Sequence, residues 1–142
     1  VALSFKLYTD AGLTTPLVSN LVCAQKADGS SDPVDKVVYL GSTTANRKIE
    51  ADSNPGVDQI VVSIVDAAPG SGHPATEVKL ATTLLGLGSA TGGDPLNLGT
   101  SILSGVENAV PIYIRVDDTT GVVGTSTELS IAIAAVRETD TA

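Results

Sequence analysis

The chain has 142 residues, 42% hydrophobic, 17% charged and only 3% aromatic, so a core must be built from Val, Ile, Leu and Ala. That length suits one domain better than two, because each half would bury too little surface to stand without staples. Sixteen acidic residues against eight basic ones give a net charge of -8, which argues against unaided nucleic-acid binding, since that needs clustered Lys or Arg.

Cys23 is the only cysteine, so no disulfide forms within the chain, which is compatible with folding in a cytoplasm. No apolar run approaches the roughly twenty residues of a helical membrane span. No basic segment followed by an apolar one opens the sequence. The expectation is a chain made in the cytoplasm without membrane insertion.

In chain order, Leu3, Phe5 and Leu7 alternate with polar neighbours and predict a first strand. Leu17–Ala24 is a second candidate, and Asp28 to Pro33 is rich in turn residues. Val37–Leu40 predicts a compact strand. Arg47–Ala51 predicts another, with Ile49 as its buried anchor. Asn54-Pro55-Gly56 is a turn signal, because proline sets one torsion and glycine permits the next. Asp58–Asp66 carries apolar residues on both faces, as a central or inter-sheet strand does. Ala67–Pro74 breaks the sheet, and Thr76–Thr82 resumes it with Val78 and Leu80 inward. Leu84–Gly88 reads as either a buried strand or a tight apolar bend.

Ser89–Gly105 reads as a loop that docks through Leu96, Leu98, Ile102 and Leu103. Val110–Val136 then reads as a hairpin, with Ile112, Ile114, Ile131 and Ile133 directed to the core and the reversal placed at Asp117 to Thr125. Residues 1–137 are expected to form one β domain and 138–142 a short polar tail. About seven or eight strands without intervening long helices favour an all-β fold, an immunoglobulin-like antiparallel sandwich of two sheets.

The candidate chemical groups are sparse. His73 lies in a Gly-Ser-Gly-His-Pro loop, where an ordinary exposed histidine is expected, since catalysis would need a nucleophile and an orienting group converging on it. Cys23 reads as a small apolar filler. Asp28, Asp32 and Asp35 could approach one another around the first glycine-containing loop, which leaves a calcium-stabilised module as an alternative, but they lack the spacing of a helix-loop-helix calcium site, and no metal or cofactor is expected. Asp117 and Asp118 read as turn caps. Arg115 stands among apolar strand residues beside Tyr113 and Asp117, suited to an ion pair or a subunit contact. The glycines between 86 and 105 form no phosphate loop.

The run Leu96-Asn97-Leu98-Gly99-Thr100-Ser101-Ile102-Leu103-Ser104-Gly105, followed by Val110-Pro111-Ile112-Tyr113-Ile114-Arg115-Val116-Asp117, resembles small virion structural proteins of tailed bacteriophages. Phe5-Lys6-Leu7-Tyr8-Thr9-Asp10 and Val37-Val38-Tyr39-Leu40-Gly41 suit the same pattern. The resemblance implies a non-enzymatic head decoration, or cement, protein on the outer surface of the capsid. Its partner would be the major capsid protein, with a homo-oligomer possible and no direct nucleic-acid contact. Tyr113, Arg115, Asp117, Leu96 and Leu98 are the expected interface residues. A tail or fibre domain that binds a host receptor or glycan is the alternative, and a small hydrolase the second.

Overall fold

A computed structural model of the chain describes residues 3–18, 21, 23, 33–70, 72–117 and 129–141. Among them run ten strands: β1 (Lys6–Tyr8), β2 (Val34–Gly41), β3 (Arg47–Ala51), β4 (Val61–Asp66), β5 (Val78–Ala81), β6 (Leu96–Asn97), β7 (Ser101–Leu103), β8 (Val110–Val116), β9 (Leu129–Ile133) and β10 (Val136–Asp140). They form three sheets, ordered β1-β2-β8-β5, β10-β3-β7 and β6-β4-β9. All the pairings are antiparallel. The fold is all-β, with three sheets rather than the two expected. The strands beyond the expected seven or eight include short ones in segments read as loop or tail.

The three sheets share one core. Val38 of β2 lies opposite Ile112 of β8, and both are fully buried. Ile49 and Ile102 reach the same cluster from the second sheet, Ile60 and Val62 from β4 and its approach, with Phe5, Leu80 and Leu98 among the others. Ile112 and Ile114 are core residues as expected, whereas Ile131 and Ile133 are partly buried and pack against the cluster's edge. Period two explains this: alternate residues of each strand face one side, and in a chain this poor in aromatics the β-branched residues fill that side.

The expected hairpin is not formed. Its two arms are strands, but β8 pairs with β2 on one side and β5 on the other, while β9 pairs with β4 in a different sheet. Both hydrogen-bonding edges of β8 are therefore occupied by earlier strands. The separation between the arms also exceeds the two to five residues of a usual hairpin loop. The reversal itself, including Asp118, Gly121 and Gly124, lies outside the described residues, as does most of the Leu17–Ala24 candidate.

The segment expected as a solvated tail is also ordered. Val136–Asp140 is β10, in register with Ala51–Arg47 of β3. Hydrophobicity gave no sign of it, because its stabilising contacts are polar. Other expectations are met: Ile49 is buried, β4 is the central strand of its sheet, and Asn54 O accepts from Val57 N at 3.1 Å in a turn with Gly56 at φ +79°. Leu84–Gly88 takes the bend of its two readings, a short 3-10 turn at Leu85–Gly88 anchored by fully buried Leu87.

Ser89–Gly105 docks through β6, β7 and backbone bonds: Ile60 N donates to Gly99 O and Leu98 N to Ile60 O, each at 2.8 Å, and Gly93 N donates to Val78 O at 2.9 Å. The approach is closest at Gly92, where an added Cβ would sit 2.0 Å from the Thr76 carbonyl oxygen. Gly92→Ala is expected to cost roughly 1–3 kcal/mol, as overpacking against backbone does. Gly88→Ala meets nothing within 4 Å and should leave the midpoint of chemical denaturation close to wild type; equal midpoints for the two variants would refute the close approach.

Candidate interaction surface

The outward face of β8 presents Tyr113 and Arg115, and Asp117 follows just beyond the strand's end. In register, Arg115 lies between Asp35 of β2 and Lys79 of β5. The guanidinium grips Asp35 through two bonds, Nε to Oδ1 at 2.8 Å and Nη2 to Oδ2 at 3.0 Å. This fork holds the Asp35 carboxyl below its ordinary range, with burial opposing. Of the two roles expected for Arg115, the structural pair is present, and its partner is Asp35 rather than Asp117. Tyr113 lies between Val37 and Ala81 and is half-buried, with the Leu85–Gly88 turn packed against β5 and β8.

Asp117 closes this row. Its backbone N–H donates to Glu77 O at 2.9 Å, and its exposed side chain borders a polar cleft of about 150 Å³ with Pro33, Thr76, Glu77, Lys79 and Arg115. Glu77, one position before the inward Val78, is buried as well, and its Oε1 is 2.8 Å from Nδ1 of a half-buried His73. The break before β5 turns Ala75–Glu77 into a 3-10 turn, which directs Glu77 inward instead of along the strand's polar side. The signal available was the four-residue spacing of His73 and Glu77.

The two leucines part company with this row. Leu98 belongs to the shared core, which removes it from outward contact, and Leu96 lies on β6, half-buried and paired with Val62. Cys23 is half-buried, and burial pushes its thiol up against the opposing field of Lys36, so it is a poor nucleophile at neutral pH. Asp28 and Asp32 lie outside the described residues, and Asp35 is held by Arg115. Among the described residues no group of three or more His, Cys, Asp or Glu side chains converges as a metal site would require.

A second polar cluster joins the first and second sheets. Glu138 of β10 is almost buried: its Oε1 accepts from Ser4 N at 2.8 Å, and its Oε2 accepts from Ser4 Oγ at 2.9 Å and Arg47 Nε at 2.8 Å. Ser4 Oγ also meets fully buried Ser42 Oγ at 2.7 Å, and Ser42 Oγ accepts from Thr44 N at 3.1 Å. Arg47 further pairs with Asp140. Burial alone would raise the Glu138 carboxyl, but the bonds from Arg47 and Ser4 together hold it below its ordinary value. Sequence reading missed Glu138 because a charged residue near the end of a polar run carries no apolar signature.

Several apolar side chains stand in water. Leu85 is 90% exposed and Leu84 beside it 55%, while Val57, Leu103 and Val106 are also open. Residues 80–93 around the leucine pair carry no charge. No family model matches the chain, and no match is found among the curated proteins or the solved structures.

Two predictions follow from the polar cluster. Because Glu138, Asp35 and Asp10 are all held below their ordinary values, their contribution is complete above about pH 6, where the unfolded carboxyls are fully ionised, and is lost as pH falls through the lower folded values. Glu138→Ala should cost about 1–3 kcal/mol at pH 7 and flatten the acid limb of stability against pH; an unchanged limb would exclude the clamp. The buried Thr139 hydroxyl has no partner among the described residues, so Thr139→Val should be neutral or stabilise by up to about 1 kcal/mol in denaturant titration.

Proposed function

We propose that the chain is a non-enzymatic decoration protein that docks on the outer lattice of a tailed-phage head and stabilises the shell, with the major capsid protein as its partner. The observation that carries this reading is the Leu84–Leu85 pair, held in water at a turn that is itself anchored. Fully burying one such side chain against a partner would stabilise the contact by about 1.5–3 kcal/mol. Leu85 is the strongest case, since Leu87 beneath it is fully buried and fixes the turn.

The resemblance carried by Leu96–Gly105 and Val110–Asp117 supports the same class, as does the docking of the first of these runs onto β4 through its approach at Ile60. An immunoglobulin-like sandwich of seven or eight principal strands is the finer fold within this reading, supported by antiparallel pairing around one shared core. The acidic charge of -8 keeps copies soluble and favours a complementary basic patch on the lattice. Distributed over many copies, a modest contact free energy raises the resistance of the whole shell.

Reconstruction of virions bearing the chain tests the assignment directly. Density on the outer head lattice is expected, together with a higher rupture temperature of shells when purified protein is added back. Density confined to the tail or fibres, with saturable binding to a host glycan, would overturn it in favour of a receptor-binding domain.

A further inference from the structure

The chain leaves β1 into a loop whose two roots are fixed. Tyr8 bridges to Pro16, Thr9 N donates to Thr15 O at 2.9 Å, and Leu17 N donates to Leu7 O at 2.9 Å. Within this loop Leu13 has φ +54°. Among the described residues Asn46 is the one other non-glycine in that left-handed region; asparagine visits it readily, whereas the Cβ of a leucine crowds the carbonyl oxygen that follows.

Two features hold Leu13 there. The Asp10 carboxylate accepts from Thr14 Oγ1 at 2.6 Å, from Thr14 N at 3.0 Å and from Thr15 N at 2.9 Å, and Leu13 N donates to Asp10 O at 3.2 Å. The Leu13 side chain is only 3% exposed and lies on Gly41, where a Cβ would stand 2.8 Å from Leu13 Cδ1. Gly41 ends β2 opposite Lys6 of β1, and since Val38 and Leu40 point into the core, it opens on the outward face of the first sheet. The missing Cβ is the seat.

Seat and roots are what tie the loop to the sheet. Among the described residues every hydrogen bond of residues 10–15 stays within 9–15, so lifting Leu13 off Gly41 breaks no pairing of β1, β2 or β8, and it lets the strained torsion relax. Segments with few bonds to the rest of a fold open at low free energy, and strain of this kind collects where a chain switches. We propose that residues 9–15 are a strap that opens and closes as one unit while the three sheets stay folded, covering the Gly41 end of the first sheet's outward face in this structure and baring it when open. The Asp10 bonds fix the curl that aims Leu13 at its seat, and a seated Leu13 keeps the donors on Asp10. The strap does not depend on what lattice, if any, the protein decorates.

Native-state amide hydrogen exchange of the purified chain, read residue by residue by NMR, tests it. In wild type the amides of Thr9, Leu13, Thr14 and Thr15 are expected to share one level of protection, well below that of the β8 amides and insensitive to low denaturant, as an opening that exposes little surface must be. Asp10→Ala removes the polar hold and Gly41→Ala fills the seat, and circular dichroism checks that each is folded. Though they act from different sides, each should speed exchange by a common factor at all of these amides, roughly tenfold or more. Asp10→Ala that frees Thr14 and Thr15 while Thr9 and Leu13 keep their wild-type rates would show separate bonds in place of a strap and overturn the proposal. So would wild-type loop amides that exchange only together with those of β8 and with the same denaturant dependence, which is global unfolding. Should Gly41→Ala prove unfolded, Leu13→Ala empties the same seat and the same outcomes decide.

Discussion

The carboxylate of Glu138 is the constraint on which the joining of the first and second sheets depends. A charge removed from water must be met by hydrogen bonds, and here Ser4 and Arg47 meet it from two different sheets' surroundings. Ser4 precedes β1, Arg47 opens β3, and Glu138 sits mid-way along β10. The bond set therefore ties a residue near the start of the chain to one near its end. Ser42, fully buried just beyond β2, extends the same network through Ser4.

β8 plays the corresponding part within the first sheet. Its inward residues Ile112 and Ile114 lie in the core, and its outward residue Arg115 organises a charged row across three strands. Two flanking strands satisfy its backbone, so it is interior in the hydrogen-bonding sense as well as buried on one face. That leaves the exposed apolar side chains mostly to the turns and sheet margins. The Leu85–Gly88 turn is the clearest instance: one leucine is fully buried to hold the turn and another is held out in solvent.

Much of this was legible in the sequence at the level of single elements. Alternation located β3 through Ile49, β4 through Val62, and both arms of the supposed hairpin; it located β1 but not its faces, since Tyr8 is buried and Leu3 exposed. Asn54-Pro55-Gly56 announced its turn, and the anchors Leu98 and Ile102 announced the docking of a glycine-rich loop. The interaction surface was legible only in part. Arg115 was recognised as a residue with a partner, but Asp35, eighty positions earlier, was not recognisable as that partner. Leu98 looked like a contact residue because its apolar character does not say which way it faces.

By itself the sequence determined the β class, the aliphatic composition of the core and the inward residues of β3, β4, β5 and β8, because period-two alternation is written within five or six neighbouring residues. Tertiary structure alone decided that β8 joins β2 and β5 rather than β9, that the polar segment after Val136 is a strand, and that Glu77 and Glu138 are buried. The physical reason is common to all three. Strand edges are filled by competition among distant segments, and a charged side chain can be buried only where distant groups converge to bond it. Neither condition leaves a local signature in the order of residues.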